Sequence, residues 1–241
     1  MSDKPTLEML DAEIHQDLKV NLSDFSDSCY KVNACYVMVG ELPNLVHEYP
    51  IFIVKNQQSQ QYQLNALFGF EAGENLYLQD DKWQARFQPL DILRRPFQIY
   101  MPEGEQSSEG RIALDRSANK FQGTYGESLF EKDGQPSPYL QRIQQVFSQL
   151  MNGSKAGAHV LARMAELNLI ESVSLATELA SGESVSVKGV YSVNETALKA
   201  LSGEALEECH QKGILQICHL MLSSSAHLEK LISWKNQQVA S

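Results

Sequence analysis

Apolar positions along this chain follow two different periods. Between Cys35 and Asp115 they come in short runs of strand length: CYVMV (Cys35 to Val39), YPIFIV (Tyr49 to Val54), YQLNALFGF from Tyr62, then LYLQ, WQARF, FQIYM and RIALD. Short runs rich in aromatic and β-branched residues fit pleated, half-buried strands. The polar stretch Lys55 to Gln61 suits a hairpin loop. Pro43, Pro50, Pro89, Pro96 and Pro102 mark edges and turns, because proline has no N–H to give to a central ladder.

From Ser137 the period becomes helical. Tyr139, Leu140, Ile143, Val146, Phe147, Leu150 and Met151 recur at steps of three and four and form one buried stripe. Ser137 supplies an N-cap and Pro138 the first helical position. Asn152-Gly153 is expected to stop that helix, and a second one covers about residues 156–167. A hairpin follows, SLATELA and VSVKGVYSV around a Ser181-Gly182 turn, with Val185, Val187, Tyr191 and Val193 expected on one face. Asn194 caps a short helix through Leu201. A longer helix is expected from Ser202 through Met221, and a last one over residues 226–235. The pattern predicts an α+β fold, a β-rich N-terminal part packed against a mostly helical C-terminal part with a β-hairpin. Residues 1–28 read as an acidic, partly ordered arm. Residues 29–241 read as a single domain, β-rich over 29–135 and helical over 136–241, since no Gly/Ser/Pro-rich linker divides them.

Charge narrows the partners. The 241 residues carry a formal net charge of −10, and residues 1–28 hold seven acids against Lys4 and Lys19. Phosphate neutralisation needs clustered Lys and Arg, so non-specific nucleic-acid binding and docking on anionic lipid are both disfavoured. No basic start with an apolar core marks a secretion signal, and the uncharged run from Gly213 to Leu228 is too short and too polar for a transmembrane helix. A cytoplasmic protein without membrane insertion is expected, with Cys29, Cys35, Cys209 and Cys218 as reduced thiols.

Motifs for metal, phosphate or acyl chemistry are missing. Cys209-His210 and Cys218-His219 do not have zinc-ligand spacing, and on one helix their thiols would face opposite sides. G-x-S-x-G, H-E-x-x-H and P-loop patterns do not occur, and GTYG (Gly123 to Gly126) is a turn rather than a dinucleotide fingerprint. No cofactor is implied. Arg94-Arg95, flanked by Trp83, Phe87 and Phe97, is the best candidate on chemical grounds. Two guanidiniums beside aromatic faces suit bidentate carboxylate or phosphate recognition, and an internal ion pair is the structural alternative. Asn75 in the GEN turn is a candidate contact or a turn-forming residue. Trp83 is a candidate contact or a core residue. His15 is a candidate titrating or hydrogen-bonding group.

The order of IHQDLKV (Ile14 to Val20), VGELPNLVHEYPIFIVK, GENLYL, the Trp83 region, RRPF, SLFEKDGQPSPYLQR and GVYSVNETALKAL resembles the SapC-like family of bacterial proteins. His15 and Leu18 fall at the family's H-x-x-L positions. This chain departs from the family in its more polar loop at Lys55 to Gln61 and in a shorter apolar stretch before YPI. The resemblance implies an accessory protein of a peptide- or surface-protein-related system. Its relatives are often encoded beside TonB-dependent receptors, flavin-dependent halogenase-like enzymes and cupin-like oxygenases. Two readings follow: a non-catalytic protein that recognises a peptide or a partner enzyme through Arg94, Arg95, Trp83, Asn75, His15 and Glu41, or a peptide-modifying enzyme using His15, Glu41 or Glu127 as acid and base. The family name adds a link to surface-layer export, by analogy alone.

Overall fold

A computed structural model describes residues 7–100 and 110–240. Met101 and Pro102, and the first six residues of the acidic leader, lie outside them. In chain order the elements are β1 (Leu7–Met9), α1 (Ala12–His15), β2 (Lys19–Val20), β3 (Ala34–Val37), α2 (Leu42–Leu45), β4 (Ile51–Lys55), β5 (Tyr62–Leu67), β6 (Leu78–Gln79), β7 (Lys82–Trp83), α3 (Leu90–Leu93), β8 (Phe97–Tyr100), β9 (Arg111–Asp115) and β10 (Glu127–Ser128). Then come α4 (Pro138–Glu166), β11 (Ile170–Glu178), β12 (Ser184–Val193), α5 (Glu195–Ala200), α6 (Gly203–Gln211), α7 (Ile214–Ser224) and α8 (His227–Ala240). The fold is α+β, and the chain divides into two compact units whose boundary in α4 falls between Leu150 and Met151.

Unit one holds residues 1–31, 78–84 and 90–150. Its three-stranded sheet has the order β1-β9-β8, and β2 pairs with β10. In β9 the alternation of RIALD turns Ile112 and Leu114 to one face, where Phe97 and Ile99 of β8 join them. Phe97 and Leu114 are fully buried against Leu18, Val20, Phe121, Leu129 and the α4 residues Tyr139, Leu140, Ile143 and Phe147. Within the acidic stretch expected as a partly ordered arm, the described residues pair with unit one and reach its core at Leu18 and Val20. Leu7 to Met9 pair with β9, the Asp11 carboxylate accepts from the Glu13 and Ile14 amides, and Val20 is fully buried. The runs LYLQ and WQARF yield only the two-residue strands β6 and β7. Asp80 and Asp81 both have positive φ (51° and 54°), which closes a tight hairpin between them.

Unit two holds residues 32–77, 85–89 and 151–241. Five antiparallel strands lie in the order β11-β12-β4-β5-β3. Ile51, Phe52 and Ile53 of the central β4 are all buried, which explains why that run is continuous rather than alternating. The loop expected at Lys55 to Gln61 joins β4 to β5, and the Asn56 side-chain oxygen accepts from the Gln58 and Ser59 amides to close it. Tyr49 lies at ring distances of 4.6 Å from Tyr77 and 5.5 Å from Phe68, and Trp234 of α8 meets Tyr77 edge-on at 5.1 Å. The buried Ser224 hydroxyl of α7 donates to Met221 O at 2.6 Å and accepts from Ile51 N at 3.0 Å, so it pins α7 to β4.

Three expectations of the pattern reading are corrected. First, α4 is one unbroken helix through Asn152-Gly153. Gly153 serves packing there: a Cβ would collide with the Met38 sulfur, while Gly157, one turn on, faces Val39. Second, the long C-terminal helix is two. Gly213, at φ 71°, caps α7 and separates it from α6. Third, Gly189 (φ 73°) adds a bulge to β12, shifting the register between Leu175↔Val187 and Val173↔Val190. Val190 therefore joins Val185 and Val187 on one face, and Tyr191 and Val193 turn to the other.

Replacing Gly153 by Leu tests the first correction. The overpacked contact should lower the unfolding free energy in urea by roughly 1–3 kcal/mol, and adding Met38→Ala should recover part of the loss.

Candidate functional site

The candidate cluster lies in unit one and starts from a single carboxylate. Asp91 sits in the first turn of the four-residue α3, three and four positions ahead of Arg94 and Arg95. Those are the spacings at which helical side chains meet. Asp91 Oδ1 accepts from Arg94 Nε at 2.9 Å and Nη2 at 2.6 Å, and Oδ2 accepts from Arg95 Nη2 at 2.7 Å. Arg94 Nη1 also donates to Phe97 O at 3.0 Å. Arg95 Nε donates to Asp91 O at 3.1 Å, and its Nη1 to Cys29 O. The side chains of Arg94, Arg95 and Asp91 are only 24%, 14% and 12% exposed. The guanidiniums are thus turned inward, in the internal ion-pair arrangement, with both flanking strand β8 and the Cys29 backbone tied to them.

A second layer continues from Arg95. Its carbonyl accepts from the Tyr30 hydroxyl at 2.7 Å, and that hydroxyl accepts from Lys120 Nζ at 2.7 Å. Lys120 is only 5% exposed, and its ammonium sits over the rings of Phe25 at 4.4 Å and Tyr30 at 4.6 Å. Burial pulls its pKa down to about 8, against smaller opposing effects of Cys29, Asp27 and Asp24. Burial also pushes the Cys29 thiol up to about 11, reinforced by Asp27. The Asp27 carboxylate accepts from Asn119 N at 2.6 Å and Lys120 N at 3.3 Å. Trp83 reaches this cluster from β7, 6.0 Å from Phe25. Sequence reasoning named the arginines and Trp83 but missed Asp91, Tyr30 and Lys120. Only Asp91 left a signal, its spacing to the arginines.

The other candidates have local partners. His15 is 2% exposed, with Nδ1 3.0 Å from Asp11 O and Nε2 3.2 Å from a Glu8 carboxylate oxygen, also in unit one. Glu127 is exposed in β10. In unit two, Asn75 accepts from Tyr77 N at 3.1 Å as a turn residue, and Glu41 accepts from Met38 N at 2.9 Å. Cys209 in α6 and Cys218 in α7 are both fully buried free thiols. Burial, reinforced by Cys209, pushes the Cys218 thiol up to about 12, and the two cysteines sit on separate helices rather than on the single one expected. Among the described residues no group of three or more His, Cys, Asp or Glu is placed to hold a metal, and no buried side-chain polar atom lacks a hydrogen-bond partner. No helix of the described residues is long and apolar enough to cross a membrane.

The family model described as SapC matches residues 10–231. This chain belongs to the SapC family. The match takes in every described element except β1 and the end of α8. It therefore includes Asp91, both arginines, Tyr30 and Lys120. Nothing among curated proteins or solved structures matches the chain.

Asp91→Asn should be among the most damaging single changes in unit one. Leaving two largely buried guanidiniums without their carboxylate should cost roughly 3–5 kcal/mol in urea unfolding. Glu195→Gln, at an exposed ion pair with Lys199, should cost under about 1 kcal/mol.

Lys120 gives a pH signature. Its folded-state pKa lies below the ordinary value of 10.5, so between pH 8 and 10.5 the unfolded chain holds a proton that the folded chain has released. Stability from this group therefore rises with pH across that window, by up to about 3 kcal/mol. Lys120→Met should flatten that rise in paired urea titrations and be the more stable protein, relative to wild type, at pH 7 than at pH 10.

Proposed function

We propose that this SapC-family protein is a non-catalytic accessory protein that recognises an extended segment of a peptide or partner enzyme by adding it as a strand to the sheet of unit two. The observation that carries the reading is the outer edge of β11. This strand runs nine residues from Ile170 to Glu178 and, among the described residues, pairs with β12 alone. Its outward N–H and C=O groups form an unpaired row, the template that strand addition uses. Main-chain hydrogen bonds supply affinity there, and alternate side chains supply specificity.

Charge selects the partner. Glu171 and Glu178 stand exposed at the two ends of β11, with Glu183 exposed in the following turn. Two copies of such an edge repel each other, while a segment carrying Lys or Arg is attracted. These acids disfavour pairing of the edge with a second copy of itself, which a binding strand needs in the free protein. In unit one the Asp91, Arg94, Arg95 and Lys120 network supports the reading differently, because its donors are engaged from inside. The accessory role implied by the family resemblance fits a protein that presents a surface rather than a reaction centre. A cytoplasmic setting and a partner such as a flavin-dependent or cupin-like enzyme belong to the same proposal.

Affinity purification of the tagged protein from its host, followed by mass spectrometry, tests the reading when run beside Glu171→Lys/Glu178→Lys. A stoichiometric partner should come with the wild type and fall at least about tenfold with the variant, a loss of about 1.4 kcal/mol. In the purified complex, hydrogen exchange of residues 170–178 should slow. A partner retained equally by both proteins, with exchange at 170–178 unchanged, contradicts the proposal.

A further inference from the structure

Unit two contains a small cleft that the proposed strand addition does not use. It has a volume of about 130 Å³ and lies between the Asn56–Gln61 loop, strands β3 and β5, and α4. Its chemistry is unusual for this chain. All thirteen lining residues are uncharged types, in a protein where 21% of residues are Asp, Glu, Lys or Arg. The polar ones are amides and hydroxyls: Asn56, Ser59, Gln61, Gln63, Ser154 and two tyrosines, Tyr36 and Tyr62. Burial raises the Tyr36 pKa, outweighing the lowering effect of a hydrogen bond with Ser154, so Tyr36 is neutral as well.

The lining is held in place. Asn56 Nδ2 donates to Gln63 Oε1 at 3.2 Å, and Gln63 Nε2 donates to Asn65 Oδ1 at 3.1 Å. The Tyr62 ring is fixed edge-on against Tyr191 at 5.3 Å, with Lys55 Nζ 5.9 Å from its centroid. Gly157 and Ala158 keep the α4 wall low. Two lining groups have no hydrogen-bond partner among the described residues, the Gln61 amide and the Tyr62 hydroxyl. An amide offers a donor and an acceptor side by side, which matches two neighbouring hydroxyls, and a hydroxyl both donates and accepts. Aromatic rings offer an apolar face for C–H groups.

We infer that this cleft binds an uncharged, polyhydroxylated ring, a neutral sugar unit, with Gln61 and Tyr62 as its hydrogen-bonding contacts and Tyr36 as part of the wall. A charged ligand would have no counter-ion in the lining and would be desolvated at a cost. The volume, well under the roughly 300 Å³ at which drug-sized pockets begin, fits one ring and not a long chain. The polar loop at Lys55 to Gln61 supplies the amide face of the site. The inference stands apart from strand addition at β11, and either can fail alone.

A ¹H–¹⁵N titration of the full chain tests it, with glucose, galactose, mannose and N-acetylglucosamine as probes and with glucuronate and free glutamine as controls. At least one neutral sugar should give saturable shifts clustered at residues 36, 56–63 and 154–161. Gln61→Ala and Tyr62→Phe, both at the loop and surface end of the cleft, should each weaken that sugar by about tenfold with unchanged melting temperature, the loss expected for one hydrogen bond of about 1.4 kcal/mol. Ala158→Leu, which fills the cleft, should abolish the shifts. The inference is overturned if no neutral sugar saturates, if glucuronate or glutamine binds as well as the best sugar, or if the shifts survive all three substitutions.

Discussion

One carboxylate fixes the polar architecture of unit one. Asp91 accepts from both Arg94 and Arg95, and those two residues pass the constraint on to β8 through Phe97 O and to residue 29 through Cys29 O. The Arg95 carbonyl then orients Tyr30, and Tyr30 orients Lys120. A lysine ammonium this deeply buried is costly unless something receives it, and the Tyr30 oxygen with two aromatic faces does so. Remove the carboxylate and each later link loses the group that positions it. Buried networks of this kind are strong only when complete, because a half-satisfied one leaves charge in a low-dielectric interior.

Unit two is organised by a different constraint, close packing around a sheet buried on both faces at its centre. Small residues set the distances. Gly153 admits Met38 to the surface of α4, and Gly157 and Ala158 leave room for the cleft beside β5. Toward the other edge of the sheet the chain becomes polar, and among the described residues β11 ends it without a further strand. The two surfaces proposed for binding, the β11 edge and the neutral cleft, both belong to this unit. Unit one offers buried ion pairs, which are weak evidence of function and good evidence of a fixed local structure.

Much of this was legible in the sequence, and the failures have identifiable causes. Runs such as RIALD and YPIFIV announced strands because their length and residue types leave few alternatives, and Ser137-Pro138 announced the start of α4. Asn152-Gly153 misled because glycine within a helix has two meanings, a stop or a close contact, and only the position of Met38 decides between them. The break at Gly213 was hidden by an apolar pattern that continues through it. Gly189 reversed the face of Tyr191 through one extra residue, a shift invisible to simple alternation. At the candidate cluster the spacing of Asp91 to Arg94 and Arg95 was present in the sequence. The approach of Cys29, Tyr30 and Lys120 was not, since those contacts span 65 to 90 residues.

The central claim is that Arg94 and Arg95 are held from inside by Asp91 and are not a free anion-recognition pair. Timed modification of the native protein with phenylglyoxal, read by peptide mass spectrometry, tests it directly. The exposed Arg111 and Arg142 should react first, and Arg94 and Arg95 should stay protected until urea unfolds the protein. Modification of Arg94 and Arg95 at the rate of Arg142 in the native state would contradict the claim.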